Sequence, residues 1–192
     1  MKNTIIYLIG FAGTGKFTIA QEIAKLTNSK VVDNHLINNP ILSVIDAEQD
    51  TTLSDRAWQK IEEIRQIVLD TIETIAAPNA SFIFTNELIE GRVADKQIFS
   101  KIAELAKRRQ STFLPVRLEC SEEELCRRVL FENRKERLKD TNPKNAQEKY
   151  KNLTVLKPTA CTSLTLDVTH LSAEQTARII LDHLNFSNKQ PL

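Results

Sequence analysis

Nine residues near the amino end have the types and spacing to bind a polyanion: Gly10-Phe11-Ala12-Gly13-Thr14-Gly15-Lys16-Phe17-Thr18. They follow an apolar run, Ile5 to Ile9, and open into a helical pattern carrying Ile19, Ala20, Ile23, Ala24 and Leu26. A strand, a glycine-rich turn and a helix start, in that order, turn successive backbone N–H groups inward, and the helix dipole adds partial positive charge. Glycine is required where a Cβ would block the turn or the close approach of a phosphate. In this G-x-x-x-x-G-K spacing the loop residues Gly10, Ala12, Gly13, Thr14, Gly15 and Phe17 cradle the phosphates of a nucleotide, and Lys16 reaches the terminal ones as a point charge. The alternative is an ordinary glycine-rich connection, and it leaves the full spacing and its flanks unexplained.

The position after Lys16 departs from the common pattern. Phe17 stands where a Ser or Thr hydroxyl usually binds Mg²⁺, and a hydroxyl follows one residue later, at Thr18. Thr18 is therefore the candidate metal-side hydroxyl. Phe17 either alters how the metal is held or packs against the substrate side of the loop.

Further candidates sit where apolar stretches end. Asp33, after Lys30-Val31-Val32, could accept the proton of a substrate hydroxyl attacking a γ-phosphate, or could be a turn residue or helix cap. His35 either orients substrate or is a capped, partly buried histidine. Glu87, after Ser81-Phe82-Ile83-Phe84-Thr85-Asn86, could hold Mg²⁺ through water, although Thr85 occupies the place where an Asp is expected. Arg92, just beyond, could bind an anionic group on the substrate or form a surface salt bridge.

From Arg127 to Lys139 cations are dense: Arg127, Arg128, Arg134, Lys135, Arg137 and Lys139, interleaved with Glu132, Glu136 and Asp140. One reading is a solvated helix with intrahelical ion pairs. Another is a lid, about residues 127–145, that brings guanidinium groups over a transferring phosphate, where a charge-spread transition state gains from positioned cations. The interleaved acids argue against nucleic-acid binding.

The elements that must position these residues alternate. Strands are expected at 5–9, 30–32, 81–85, 112–118 and 162–168. Pro40 is expected to interrupt the segment after the second strand, leaving a short helix at Ile41, Leu42, Val44 and Ile45. A long amphipathic helix starts at Ser54 or Asp55 and repeats Ala57, Ile61, Ile64, Val68, Ile72 and Ile75 until Pro78-Asn79 stops it. Ser121-Glu122-Glu123-Glu124 has capping-box spacing, and Ser172-Ala173-Glu174-Gln175 caps a final helix. Alternating strands and helices predict a parallel sheet covered on both faces, with ligands beyond the C-terminal strand ends.

The chain of 192 residues suits one domain, with a substrate-binding helical region at about 35–77. A net charge of +1 argues against a generic nucleic-acid binder, and no apolar run approaches the ~20 residues that cross a bilayer. The chain opens directly on a strand, leaving no room for a signal peptide. Three cysteines, Cys120, Cys126 and Cys161, lack metal-ligand spacing, and a reducing cytoplasm fits them best.

With these parts placed, the sequence resembles the small P-loop kinases of metabolites and nucleotides, the group of adenylate, shikimate and gluconate kinases and chloramphenicol phosphotransferase. Gly10–Thr18 carries the resemblance, with threonine two residues after the lysine as in adenylate kinases. Ser121–Arg137 also carries it, where S-x-E-E-L-x-x-R-V looks like a helix entering a lid. The resemblance implies an α/β fold of the P-loop NTPase type. Its three α/β/α layers would enclose a five-stranded parallel sheet in the order 2-3-1-4-5, with a helical lid. It also implies ATP and Mg²⁺ as cofactors, Arg128 near the adenine or the lid hinge, and Arg134 and Arg137 facing the phosphates. The substrate motifs do not carry over: Thr85-Asn86-Glu87-Leu88-Ile89-Glu90-Gly91-Arg92 replaces the Asp-Gly-x-Pro-Arg of adenylate kinases. The expected activity is an ATP-dependent transfer to a small-molecule acceptor by a monomer or homodimer, with no nucleic acid or membrane involved. The alternatives are a nucleotide-binding module or weak ATPase without an efficient acceptor, and an antibiotic-modifying phosphotransferase.

Overall fold

A computed structural model describes residues 1–45, 53–131, 134, 138–159 and 162–187. Five strands, β1 (Thr4–Ile9), β2 (Lys30–Asp33), β3 (Phe82–Asn86), β4 (Thr112–Glu119) and β5 (Leu164–Asp167), form one sheet in the order β2-β3-β1-β4-β5. Every pairing is parallel. The expected strand order is thus the observed one.

Strand β1 lies at the centre and every one of its residues is buried, because helices cover both faces. Its side chains divide by parity. Ile6 and Leu8 join a core with Ile19, Ala20 and Ile23 of α1 (Lys16–Thr27) and Ala177, Ile180 and Leu184 of α7 (Ala173–Ser187). Ile5, Tyr7 and Ile9 join another with Leu69 and Ile72 of α3 (Asp55–Thr74) and Ile102, Leu105 and Ala106 of α4 (Val93–Arg108). The two periodicities, two in the strand and 3.6 in the helices, meet at these layers.

Helix ends follow local chemistry. Ser54 accepts the Ala57 N–H at the start of α3, and Ser121 accepts the Glu124 N–H at the start of α5 (Glu122–Val129). At α7 the capping box is reciprocal: Ser172 Oγ accepts the Gln175 N–H, and Gln175 Oε1 accepts the Ser172 N–H.

One expectation is corrected. Pro40 does not open a separate helix at 41–45. A single helix, α2 (Asn34–Leu42), begins directly at the end of β2 and contains Pro40 in its last turn. Leu36, whose carbonyl loses its amide partner there, is exposed, which lowers the cost. Pro143 is the first residue of α6 (Pro143–Asn152), capped by Asn142, whose side chain accepts the Lys144 N–H.

Beyond β3 the chain is stitched to the stretch after α6. Ile89 and Val155 form an antiparallel bridge, Glu90 N–H donates to Thr154 O, and Leu156 N–H donates to Leu88 O. Among the described residues no helix is long and apolar enough to cross a membrane.

Candidate functional site

The loop between β1 and α1 rests on the sheet's C-terminal edge. Gly13 (φ 93°) and Gly15 (φ 82°) adopt left-handed conformations that a Cβ would strain. Gly10 is needed for a different reason: a Cβ there would come within 2.8 Å of Thr14 Oγ1 and 2.9 Å of Leu118 O. Thr14 is buried and closes the turn by donating from both its N–H and its hydroxyl to Phe11 O. Helix α1 starts at Lys16 without a capping side chain or an acidic residue in its first turn. Its N-terminal N–H groups are thereby left for an anion.

Lys16 Nζ donates to the carbonyl oxygens of Gly10 (2.7 Å) and Phe11 (2.8 Å), folding back over the loop. Burial, above all, lowers its pKa to about 7. Glu87 and Asp33 oppose that shift, while Lys139 and Arg134 add to it. An ammonium held this way gains from any incoming phosphate.

The acid side of the cleft is built on the ends of β2 and β3. Asp33 is almost wholly buried and accepts the Thr85 hydroxyl at Oδ1. Asn34 Oδ1 accepts from Asn86 Nδ2 (2.8 Å) and from Arg65 Nη1 (3.3 Å), while Asn86 Oδ1 accepts the Tyr7 hydroxyl. This buried network fixes the β2–α2 junction, so the Asp33 carboxylate is held rather than loose. His35 follows on α2, with Nδ1 3.3 Å from Asn39 Oδ1. Burial and then Lys139 push its pKa down to about 4, so the ring is neutral at neutral pH.

The cation side separates the residues of the 127–139 cluster. Arg127 faces solvent, pairing with Glu124 and lying over the Phe131 ring. Arg128 turns inward, donating from Nε to Glu124 Oε1 (2.6 Å) and from Nη2 to Val168 O (3.0 Å) and Thr169 O (3.1 Å). Arg134 donates twice to Asp140 O, and burial lowers its pKa. Lys139 Nζ lies 3.6 Å from Asp33 Oδ2 and 4.9 Å from the Phe17 ring centroid. Arg137 lies outside the described residues, as do parts of the expected lid.

These groups share one cleft of about 590 Å³. It gathers Ala12 to Thr18, Asp33, His35, Glu87, Arg128 and Arg134. Thr18 is exposed within it. Gly10 lies beneath the loop, and Arg92 is exposed at the start of α4, away from the cleft. Glu87 has both oxygens engaged: Oε2 accepts the Ala12 N–H (2.8 Å) and Oε1 pairs with Lys149 Nζ (2.9 Å). Among the described residues no group of three or more His, Cys, Asp or Glu could hold a metal.

Sequence reasoning singled out neither Lys139 nor Thr85 as a site residue. Lys139 was one cation among many, and its register against Phe17 exists only in three dimensions. Thr85 was noted only as occupying the place of an expected Asp; its opposition to Asp33 emerges only from the β2–β3 register of the folded sheet.

No family model matches the chain, and no curated protein matches it in sequence. Solved structures do match in fold. A gluconokinase from Sinorhizobium meliloti superposes with TM-score 0.58 at 13% identity, covering 98% of each chain. A shikimate kinase from Acinetobacter baumannii, in complex with shikimate, gives 0.53 at 19% identity, covering 98% of this chain and 96% of that one. The APS kinase CysC of Mycobacterium tuberculosis, in complex with AMPPNP and APS, gives 0.58 at 12% identity, covering 96% and 98%. The chain shares the fold of these kinases.

Proposed function

We propose that this chain is an ATP-dependent phosphotransferase that moves the γ-phosphate of ATP to a small hydroxyl- or phosphate-bearing acceptor. One observation carries the reading: the glycine loop with its folded-back Lys16 and the buried Asp33 carboxylate open onto the same cleft. The loop amides and Lys16 hold the phosphates. For a hydroxyl acceptor, its oxygen forms a bond to Pγ as the bond from Pγ to the β-phosphate oxygen breaks. The electron pair leaves with ADP, and the hydroxyl proton passes to Asp33. Arg134, lining the same cleft, neutralises developing charge, and Arg128 flanks the nucleotide. Most of the rate then comes from positioning and electrostatics.

Mg²⁺ fits this donor set as an ion held chiefly by phosphate oxygens. Thr18 would supply the protein hydroxyl, since Glu87 is committed to Ala12 and Lys149. The ion would supply neutralisation of the phosphate oxygens.

The test is ADP formation from Mg-ATP across a panel of sugars, sugar acids, nucleosides, nucleotides and antibiotics, with mass spectrometry of each acceptor. An acceptor that raises turnover and gains one phosphoryl group is the expected result. ATP binding without any such acceptor would favour a nucleotide-binding module, and absence of triphosphate binding by calorimetry would remove the reading altogether.

A further inference from the structure

Lys139 occupies a place that the loop sequence does not announce. Its side chain is only 13% exposed, and its ammonium lies between the Asp33 carboxylate and the Phe17 ring, in the cleft that holds Lys16. At 3.6 Å the contact with Asp33 is an ion pair longer than a charge-assisted hydrogen bond. The backbone sets Lys139 there independently of Asp33. Lys139 N–H donates to Arg134 O, the Arg134 guanidinium closes on Asp140 O, and Leu138 takes a left-handed φ of 53°. A branched residue adopts that conformation only where its surroundings impose it.

The surroundings of the ammonium indicate what it is for. Arg128 pairs with Glu124 and Glu87 with Lys149. Lys139 lines the same cleft as Lys16, Arg134 and the glycine loop, where an entering polyanion meets these three cationic side chains. His35 lines that cleft as well. Phe17 supplies an aromatic face that attracts a cation without competing for its hydrogen bonds, as a hydroxyl side chain would.

We propose that Lys139 is a second phosphate-binding lysine, donating to the γ-phosphoryl oxygens of bound ATP, and that Phe17 is a positioning residue that holds it there. The assignment rests on the phosphotransferase reading above. When the triphosphate enters, the ammonium exchanges Asp33 for a γ-oxygen and stays protonated. The carboxylate, still accepting the Thr85 hydroxyl, takes the acceptor hydroxyl's proton as the bond to Pγ forms and ADP departs. Phe17 thus replaces the usual hydroxyl residue with a platform for a protein cation.

The test is equilibrium binding of Mg-ADP and of the magnesium complex of the β,γ-imido analogue of ATP to the full chain, by calorimetry. In Lys139→Met the affinity for the triphosphate analogue falls by about tenfold or more, while ADP affinity stays within about twofold. Lys139→Arg retains most of the preference for the triphosphate. Phe17→Leu loses part of it and Phe17→Tyr restores it, a pattern that simple packing at this position would not produce. An unchanged triphosphate-to-diphosphate ratio in Lys139→Met overturns the proposal, as do equal ratios in Phe17→Leu and Phe17→Tyr. Wild-type protein that binds neither nucleotide defeats the phosphotransferase reading itself. Retained ADP binding shows that a variant is folded.

Discussion

Glu87 accepts the Ala12 N–H at 2.8 Å, so the carboxylate just past β3 is tied to the phosphate loop, and its other oxygen is tied to Lys149 on α6. Loop, sheet and α6 are joined through one side chain.

Glu87→Ala therefore removes the acceptor for a loop amide and leaves Lys149 unpaired. The expected loss is about 1–3 kcal/mol of unfolding free energy in urea titration, with Glu87→Gln losing less because its carbonyl still accepts from Ala12. Burial pushes the Glu87 carboxyl up, but Lys149, Lys16 and the Ala12 N–H outweigh it and leave its pKa below the usual carboxylate range. A depressed folded-state value contributes stability above the unfolded pKa and loses it as pH falls through the folded one. Below about pH 4.5 the wild type should thus lose more stability than Glu87→Gln.

Lys16 makes nucleotide binding proton-linked. Its pKa of about 7 lies below the ordinary 10.5, so between those values the unfolded chain carries more protons and stability rises with pH. A bound phosphate restores the charged ammonium. At about pH 8, ATP binding should take up protons, read as a dependence of calorimetric enthalpy on buffer ionisation enthalpy. Lys16→Met should abolish that dependence and weaken ATP binding by about tenfold or more. Unaltered ATP-induced thermal stabilisation in this variant would contradict the phosphate-loop assignment.

His35 titrates on the acid side. Its folded pKa near 4 is depressed from 6.5, so stability present above the ordinary value is lost as pH falls toward the folded one. Thermal unfolding followed across that window should show a declining Tm in the wild type. His35→Gln should flatten the decline, because the replacement does not charge.

Much of the fold was legible because its signals are local. The Ile5–Ile9 run before the glycine loop reads as a strand and is one, and the serine caps at 54, 121 and 172 stand where the helices begin. The loop was legible because its chemistry lies within nine consecutive residues. Pro40 misled because a proline's cost depends on whether the carbonyl it orphans is exposed, which spacing does not reveal. The inward turn of Lys139 was hidden for a related reason: its contact with Arg134, the Arg134–Asp140 contact and the left-handed Leu138 leave no periodic pattern in the sequence. Arg92 and Arg128 were both candidate site residues, Arg92 for an anionic group on the substrate and Arg128 beside the nucleotide. In three dimensions one sits at an exposed helix start and the other lies beside Gly15.

Strand β2 passes into α2 with no connecting residue, Asp33 ending one and Asn34 beginning the other. The junction has no slack to absorb a change of length. One inserted residue would swing His35 about 100° around the helix axis and break the alignment of Asn34 with Arg65 and Asn86. Diversification of this corner must therefore proceed by replacing side chains, because insertions and deletions would dismantle the floor on which the carboxylate stands.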